Sequence, residues 1–141
     1  MRKLTTFCAA VVAAGALSGA LTMPTASAGD SLPTDKECSK LKSADAETKG
    51  WCTAINRRKG NCLACHIVTT KKTWPAALPP GGNVAPPLVS MQQRFPDKAK
   101  LRAQVWDATQ SNPHSVMPPF GRHKMLTEGE IDAIVAWLYT I

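Results

Sequence analysis

Residues 62–66 read Cys-Leu-Ala-Cys-His, a C-x-x-C-H run that constrains the fold more than any other segment of the chain. Two cysteines separated by two residues on a tight turn place both sulfurs on one side, where they can add to the two vinyl groups of a haem. The adjoining His66 then lies under the ring as an axial ligand. Zinc or a dithiol redox pair would also use Cys62 and Cys65, but neither requires the histidine. The run predicts one covalently attached haem c.

The first residues have the features of an export signal. Arg2 and Lys3 precede an uncharged, alanine-rich stretch over residues 7–21, and residues 26–28 form the Ala-x-Ala pattern that signal peptidase recognises. The apolar stretch is short for a membrane span and contains glycines, which makes a transmembrane anchor the weaker interpretation. We predict a signal peptide over residues 1–28 and a mature protein in the periplasm, where haem attachment takes place.

The size of the remaining chain indicates a single small domain. Cleavage after Ala28 leaves 113 of the 141 residues, which is too few for two domains. A covalently held haem would fill the core of a domain this small. We expect a polar leader over residues 29–42, without regular structure as far as about Asp35, and a haem-binding domain over residues 43–141.

The mature chain is basic, and the basic residues cluster in its N-terminal half. Without Arg2 and Lys3 it keeps 15 basic against 10 acidic side chains, a net charge of +5. The cluster consists of Lys36, Lys40, Lys42, Lys49, Arg57, Arg58, Lys59, Lys71 and Lys72. No nucleic-acid-binding motif accompanies it, which argues against a nucleic-acid partner. A solvated face and a docking surface for an acidic redox partner both remain open.

The cysteine count predicts a disulfide. Of five cysteines, Cys8 lies in the predicted signal and two belong to the C-x-x-C-H run, which leaves Cys38 and Cys52. In an oxidising compartment a disulfide between them is the default, and closing a loop of about 15 residues contributes roughly 3 kcal/mol. Two free thiols with a chemical role are the alternative. A disulfide would leave the mature chain no cysteine nucleophile.

Helix signals, with no alternating strand pattern, predict an all-α fold. The first helix is expected from Ser43 or Asp45 to about Lys59, with Trp51 and Ile55 on its buried face.

Three further segments complete this picture. Residues 69–87 are rich in Lys, Pro and Gly and predict an irregular loop. Residues 97–109 predict a helix that follows Pro96. Residues 127–130 form a capping-box pattern, which predicts the start of a C-terminal helix. Its apolar stripe is Ile131, Ile134, Val135 and Leu138.

An electron-transfer haem with six ligands needs a second axial ligand, usually methionine or histidine. The candidates in the mature chain are Met91, Met117, Met125, His114 and His123. Met117 is favoured because Pro118 and Pro119 hold the following backbone in an extended loop. It also lies 51 residues after His66, far enough to reach the opposite face of the ring. The two histidines remain the rivals.

Residues 85–88 read Ala-Pro-Pro-Leu and suggest support for the histidine ligand. An axial histidine usually donates its second ring N–H to an acceptor, often a backbone carbonyl. We predict that Pro86 supplies this carbonyl and that Leu88 packs on the ring. The alternative is an ordinary loop with no contact to the haem.

These features together resemble the class I cytochrome c family over about residues 43–141. The resemblance implies an all-α class I cytochrome c-like domain with helices packed around one covalently attached haem. A narrower resemblance is to the SoxX family, the small haem subunits of bacterial SoxAX cytochromes. The segments that carry it are residues 59–66, 86–88, 94–97, 105–109, 116–121 and 137–139. One departure is Ala85, where both families often have glycine.

The SoxX resemblance implies a partner and a reaction. In that family the subunit pairs with SoxA, and the complex oxidatively couples thiosulfate to a cysteine of the carrier SoxYZ. The thiosulfotransferase chemistry is assigned to a cysteine that ligates a SoxA haem, which implies no catalytic residue in this chain. The chain would accept the released electrons and pass them to another periplasmic cytochrome c. The alternative is a free-standing electron shuttle for a respiratory oxidase.

Overall fold

The computed structural model describes residues 31–141, and the predicted signal peptide lies outside the described residues. Five α-helices occur in this part of the chain: α1 (Asp35–Cys38), α2 (Ala46–Ile55), α3 (Met91–Arg94), α4 (Lys98–Trp106) and α5 (Glu128–Leu138). Two 3₁₀ turns, Cys62–Ala64 and Ala108–Gln110, lie between them. Over residues 31–141 the only β pairing is three isolated bridges, and the prediction of an all-α fold is confirmed. None of these helices is long and apolar enough to cross a bilayer.

Helix α1 lies in the segment for which no helix was expected. Thr34 and Glu37 form a capping box, in which the Thr34 hydroxyl accepts from the Glu37 N–H and the Glu37 carboxylate accepts from the Thr34 N–H. This exchange satisfies two backbone donors that a four-residue helix would otherwise leave free. The first helix therefore begins at Asp35, and the expectation that it begins near Ser43 or Asp45 is wrong.

Helix α2 begins where predicted and ends earlier. The Asp45 carboxylate caps it by accepting the Thr48 N–H at 2.8 Å. The helix stops at Ile55 and not near Lys59, because Asn56 takes an extended conformation and its side chain accepts the Arg58 N–H. Trp51 and Ile55 are both buried, which confirms that they share the core face.

The centre of the fold is the crossing of α2 and α5. A Cβ atom on Gly50 would lie 1.9 Å from the Ala133 carbonyl oxygen, so the two backbones are in direct contact there. Trp51 and Trp137 meet beside this crossing with ring centroids 5.4 Å apart, and both are almost completely buried. Truncating either indole to alanine would cost about 3–5 kcal/mol of folding free energy.

Helix α5 forms as its sequence predicts. Thr127 and Glu130 make the expected capping box. The predicted apolar stripe, Ile131, Ile134, Val135 and Leu138, is buried at 4 % exposure or less. These residues anchor α5 against α2 and α4.

Helix α4 begins at its Asp97 cap and ends at Trp106, three residues before the predicted end. Asp107 takes an extended conformation there, and its carboxylate accepts the Thr109 N–H to start the 3₁₀ turn. The capping preference of aspartate interrupts the helix at this point.

Candidate functional site

The C-x-x-C-H segment folds as a tight turn. Asn61 takes a left-handed conformation with φ of 47°, and the 3₁₀ turn Cys62–Ala64 follows. The N–H groups of Cys65 and His66 both donate to the Cys62 carbonyl, at 3.2 and 2.9 Å. This turn brings the side chains of Cys62, Cys65 and His66 to one cavity.

A second segment, residues 81–88, runs along this turn and holds it by backbone bonds. Gly82 donates to the Leu63 carbonyl at 2.8 Å, and Ala85 donates to the Cys65 carbonyl at 3.0 Å. A Cβ atom on Gly82 would lie 2.3 Å from the Ala64 oxygen, so no side chain fits between the two backbones. Ala85, the departure from the family pattern, is accommodated with this bond in place.

The same segment contacts the histidine. The Pro86 carbonyl oxygen lies 2.7 Å from His66 Nδ1. Because a proline carbonyl can only accept, Nδ1 carries the hydrogen and Nε2 is left with its lone pair. Leu88 is buried and lines the same cavity as His66. The imidazole is thereby oriented as an axial ligand would be.

The cavity has a volume of about 650 Å³, within the range of roughly 300–1,000 Å³ typical of small-molecule sites. One wall, the first, is the C-x-x-C-H turn with residues 84–86 and 88. The floor consists of apolar side chains from the helices, namely Met91, Leu101, Val105 and Leu138. Met117, Pro118 and Phe120, from the loop before α5, form a second wall.

The structure separates the five candidates for the second axial ligand only in part. Met117 lines the cavity and is partly buried. Met91 also lines it but is 3 % exposed, with its sulfur 3.5 Å from Arg94 Nη1. Met125 and His114 line it and are exposed, whereas His123 is not among the lining residues. Met117 is thus the partly buried methionine among those that line the cavity.

The charged side chains around the cavity are all basic. Arg57, Arg58, Lys59 and Arg94 line it, and no acidic residue between positions 31 and 141 does. This distribution suits a ligand with an apolar body and anionic groups. A haem, with its two carboxylates, has this character, so the donor set and the charges fit the predicted cofactor.

Burial raises the pKa of the Cys62 thiol to about 12, so this cysteine is a neutral thiol before a cofactor binds. Among residues 31–141 no group of three His, Cys, Asp or Glu side chains is arranged as a metal-ion site.

Cys38 and Cys52 form a disulfide in the structure, which joins α1 to α2. The indole N–H of Trp51, the residue before Cys52, donates to the Pro33 carbonyl at 2.7 Å. These contacts hold the leader against the domain, and none of the residues that make them lines the cavity.

Two contributors to the site were missed in the sequence. Arg94 donates to the Pro87 carbonyl at 2.7 Å and so supports the segment beside His66. Gly82 provides the close backbone contact with the turn. A double glycine after two prolines was a signal for such an approach, whereas Arg94 had no local signal because its partner lies seven residues away.

Comparisons with known proteins agree with this geometry. Residues 57–141 match the family model for cytochrome c. The fold is similar to a chain in the crystal structure of SoxXA from P. pantotrophus, with 25% identity and a TM-score of 0.55, covering 70% of this chain and 83% of that one. No curated protein matches the sequence. The chain therefore belongs to the cytochrome c family, has the class I fold of that family and binds haem c covalently.

Proposed function

We propose that this chain is the electron-accepting haem subunit of a periplasmic SoxAX-type complex that couples thiosulfate to a cysteine of a carrier protein. The observation that carries the proposal is the similarity to SoxXA over 70% of the chain. The partner would be a SoxA-like haem subunit, and the carrier would be SoxYZ-like. A periplasmic cytochrome c would take the electrons onward.

Four residues would hold the haem. Cys62 and Cys65 would bind it through thioethers, and His66 would bind the iron through Nε2. Met117 would supply the other axial ligand from the second wall of the cavity. A thioether ligand raises the reduction potential of a haem, which suits a subunit that accepts electrons. Pro86 and Leu88 would support the histidine side, through the bond to His66 Nδ1 at 2.7 Å and through packing.

The chain would leave the sulfur chemistry to its partner. Cysteines 38 and 52 are paired, and within residues 31–141 the remaining two are those of the C-x-x-C-H turn. Joining a carrier thiolate to thiosulfate forms one S–S bond and releases two electrons. This chain would receive them one at a time and pass each on. None of its residues would bind the substrate sulfur covalently.

The mouth of the cavity is suited to contact with a redox partner. Val84 and Val116 line the cavity and are 74% and 83% exposed, and Met125 is 49% exposed. Exposed apolar side chains surrounded by cations are typical of a surface that docks an acidic partner. We infer that electrons enter or leave at this mouth, beside the C-x-x-C-H turn.

Export is part of the proposal. Cleavage after Ala28 would release a mature chain that begins at Gly29, and the first mature residue is measurable by mass spectrometry of protein isolated from the periplasm. A chain that keeps residues 1–28 would contradict this assignment.

The proposed role is tested by rapid mixing. The chain copurified with its SoxA-like partner should be reduced when mixed with thiosulfate and the carrier protein, whereas the isolated chain should stay oxidised. Reduction is read from the visible absorption of the haem. Elution as a monomer without a haem partner would favour the electron shuttle, and thiosulfate turnover by the isolated chain would overturn the subunit assignment.

A further inference from the structure

Asp107 is the one charged side chain buried in the core among residues 31–141, at 2% exposure. A buried carboxylate is retained only where partners compensate for its lost hydration. Asp107 does not line the cavity and has no part in the haem contacts described above. Its partners therefore indicate what it does.

The two oxygens of Asp107 serve different segments. Oδ1 accepts from the N–H of Thr109 at 3.1 Å and from its hydroxyl. Oδ2 makes no hydrogen bond and is compensated by an ion pair, with Arg122 Nη1 at 3.1 Å. The hydrogen bonds from Thr109 and the charge of Arg122 lower the pKa of Asp107, whereas burial raises it. The lowering effects are larger, and the pKa lies below its ordinary value. The group is therefore a carboxylate at neutral pH.

These partners lie at the two ends of one loop, residues 111–122, which we call the distal loop. Thr109 belongs to the 3₁₀ turn whose Ala108 carbonyl accepts the N–H of Asn112 at 3.0 Å, where the loop begins. Arg122 is the last residue of the loop. Beside it, Gly121 donates to the Trp106 carbonyl at 3.0 Å. One carboxylate thus joins the entry and the exit of the loop that contains Met117.

We propose that Asp107, paired with Arg122, is a positioning residue that closes the distal loop and holds the Met117 sulfur in place as an axial ligand. This inference rests on the proposed ligation by Met117. A loop whose two ends are fixed loses less conformational entropy when it presents a ligand. Opening the clamp would release the sulfur while the rest of the domain stays folded, and His114 and His123 would be free to compete for its place.

The test uses the haem-loaded chain and two spectroscopic readings. The weak near-infrared charge-transfer band of the oxidised form reports sulfur ligation, and far-ultraviolet circular dichroism reports the helices. In Asp107→Asn and Arg122→Gln the band should vanish on heating well before the helices melt, and the reduction potential should fall. Arg122→Lys keeps the charge and should restore most of the band. Asp132→Asn removes a different carboxylate paired with an arginine, Arg102 at 2.6 Å, and neither residue belongs to the distal loop. In this variant the near-infrared band should vanish at the temperature at which the helices melt.

The outcomes separate the clamp from the ligand assignment. Arg122 is 52% exposed, so its variants fold even if Asp107→Asn does not. If Arg122→Gln lowers both transitions equally, or neither, Asp107 is a structural residue and the inference is wrong. If Met117→Ala keeps the band, the ligand assignment fails and the inference fails with it.

Discussion

The two walls of the haem cavity are held by different kinds of interaction. The C-x-x-C-H turn is bonded to residues 81–88 by backbone hydrogen bonds, namely Gly82 to Leu63 at 2.8 Å and Ala85 to Cys65 at 3.0 Å. On the second wall, the Met117 N–H donates to the hydroxyl of Ser115, two residues away in the same loop. The distal loop has backbone bonds at its two ends, Asn112 to Ala108 and Gly121 to Trp106, and the Asp107 carboxylate lies between these ends. One wall is therefore bonded to a neighbouring main-chain segment, whereas the other is held at its ends, where a side chain adds to the backbone bonds.

The two walls differ in the task that each would perform. Covalent attachment requires that two sulfurs and an imidazole keep a fixed geometry, and backbone contacts provide it. An axial sulfur sets the potential and must be held well enough to stay bound, but single side chains can adjust it. Changes to the first wall should therefore act on folding, and changes to the second on the spectrum and potential.

The largest effect is expected from Gly82→Ala. The added Cβ would lie 2.3 Å from the Ala64 carbonyl oxygen. Because that oxygen belongs to the backbone and cannot rotate away as a side chain could, one of the two main-chain segments must move. We expect a loss of about 3 kcal/mol or more and a lower yield of haem-loaded protein, measured by thermal unfolding and by absorption per mole of chain. By contrast, Met117→Ala should keep the covalent haem and lose the near-infrared band.

A matched glycine provides the control. A Cβ on Gly129, in the first turn of α5, would meet no atom within 4 Å. Gly129→Ala should leave stability unchanged or raise it by up to about 1 kcal/mol, since alanine favours the helix. Equal unfolding midpoints for the Gly82 and Gly129 variants would contradict the rigid-wall account.

The next largest effect is expected from removing the disulfide, which belongs to neither wall. Replacing Cys38 and Cys52 together by serine removes a cross-link between residues 14 apart and should cost roughly 3 kcal/mol. Because neither cysteine lines the cavity, the spectrum and the reduction potential should stay as they are. Chemical unfolding followed by circular dichroism measures the loss. An alkylatable thiol at either position in the folded wild-type protein would show that the disulfide does not form.

The first wall was predictable because its chemistry is local in sequence. The C-x-x-C-H run and the proline-rich segment are both short motifs, and the Pro86 carbonyl lies where the histidine ligand was expected to need an acceptor. Helix α5 was predictable for the same reason, since a capping box and an apolar stripe occupy consecutive residues.

The base of the second wall was not predictable in this way. Asp107 has one partner two residues away and another fifteen residues away, and only the folded chain brings Arg122 to it. Its burial also runs against the usual exposure of aspartate. The early ends of α2 and α4 were missed because Asn56 and Asp107 favour turns over further helix, which a search for apolar spacing does not detect.

The smallest effect should come from the ion pair between Lys59 and Glu130, which ties the residues before the C-x-x-C-H turn to α5. Burial raises the pKa of Glu130, but the hydrogen bonds and charge of Lys59 and the bond from Thr127 outweigh it and leave the pKa below its ordinary 4.5. The ion pair therefore contributes its full stabilisation above the ordinary pKa of 4.5, and this contribution is lost as the pH falls through the lowered pKa of Glu130. Because the Lys59 side chain is 49% exposed, it should amount to less than about 1 kcal/mol.

A double-mutant cycle isolates this pair from the other carboxylates that titrate in acid. Glu130→Gln keeps the capping bond to Thr127, since glutamine also fills this position of a capping box, and removes only the charge. At neutral pH the coupling between Glu130→Gln and Lys59→Gln should be a few tenths of a kcal/mol, and it should shrink in high salt. Below the lowered pKa of Glu130 the coupling should vanish. A coupling that persists in acid would mean that Lys59 supports the first wall by packing. The charges of Lys59 and Glu130 would then contribute little to the stability of that wall.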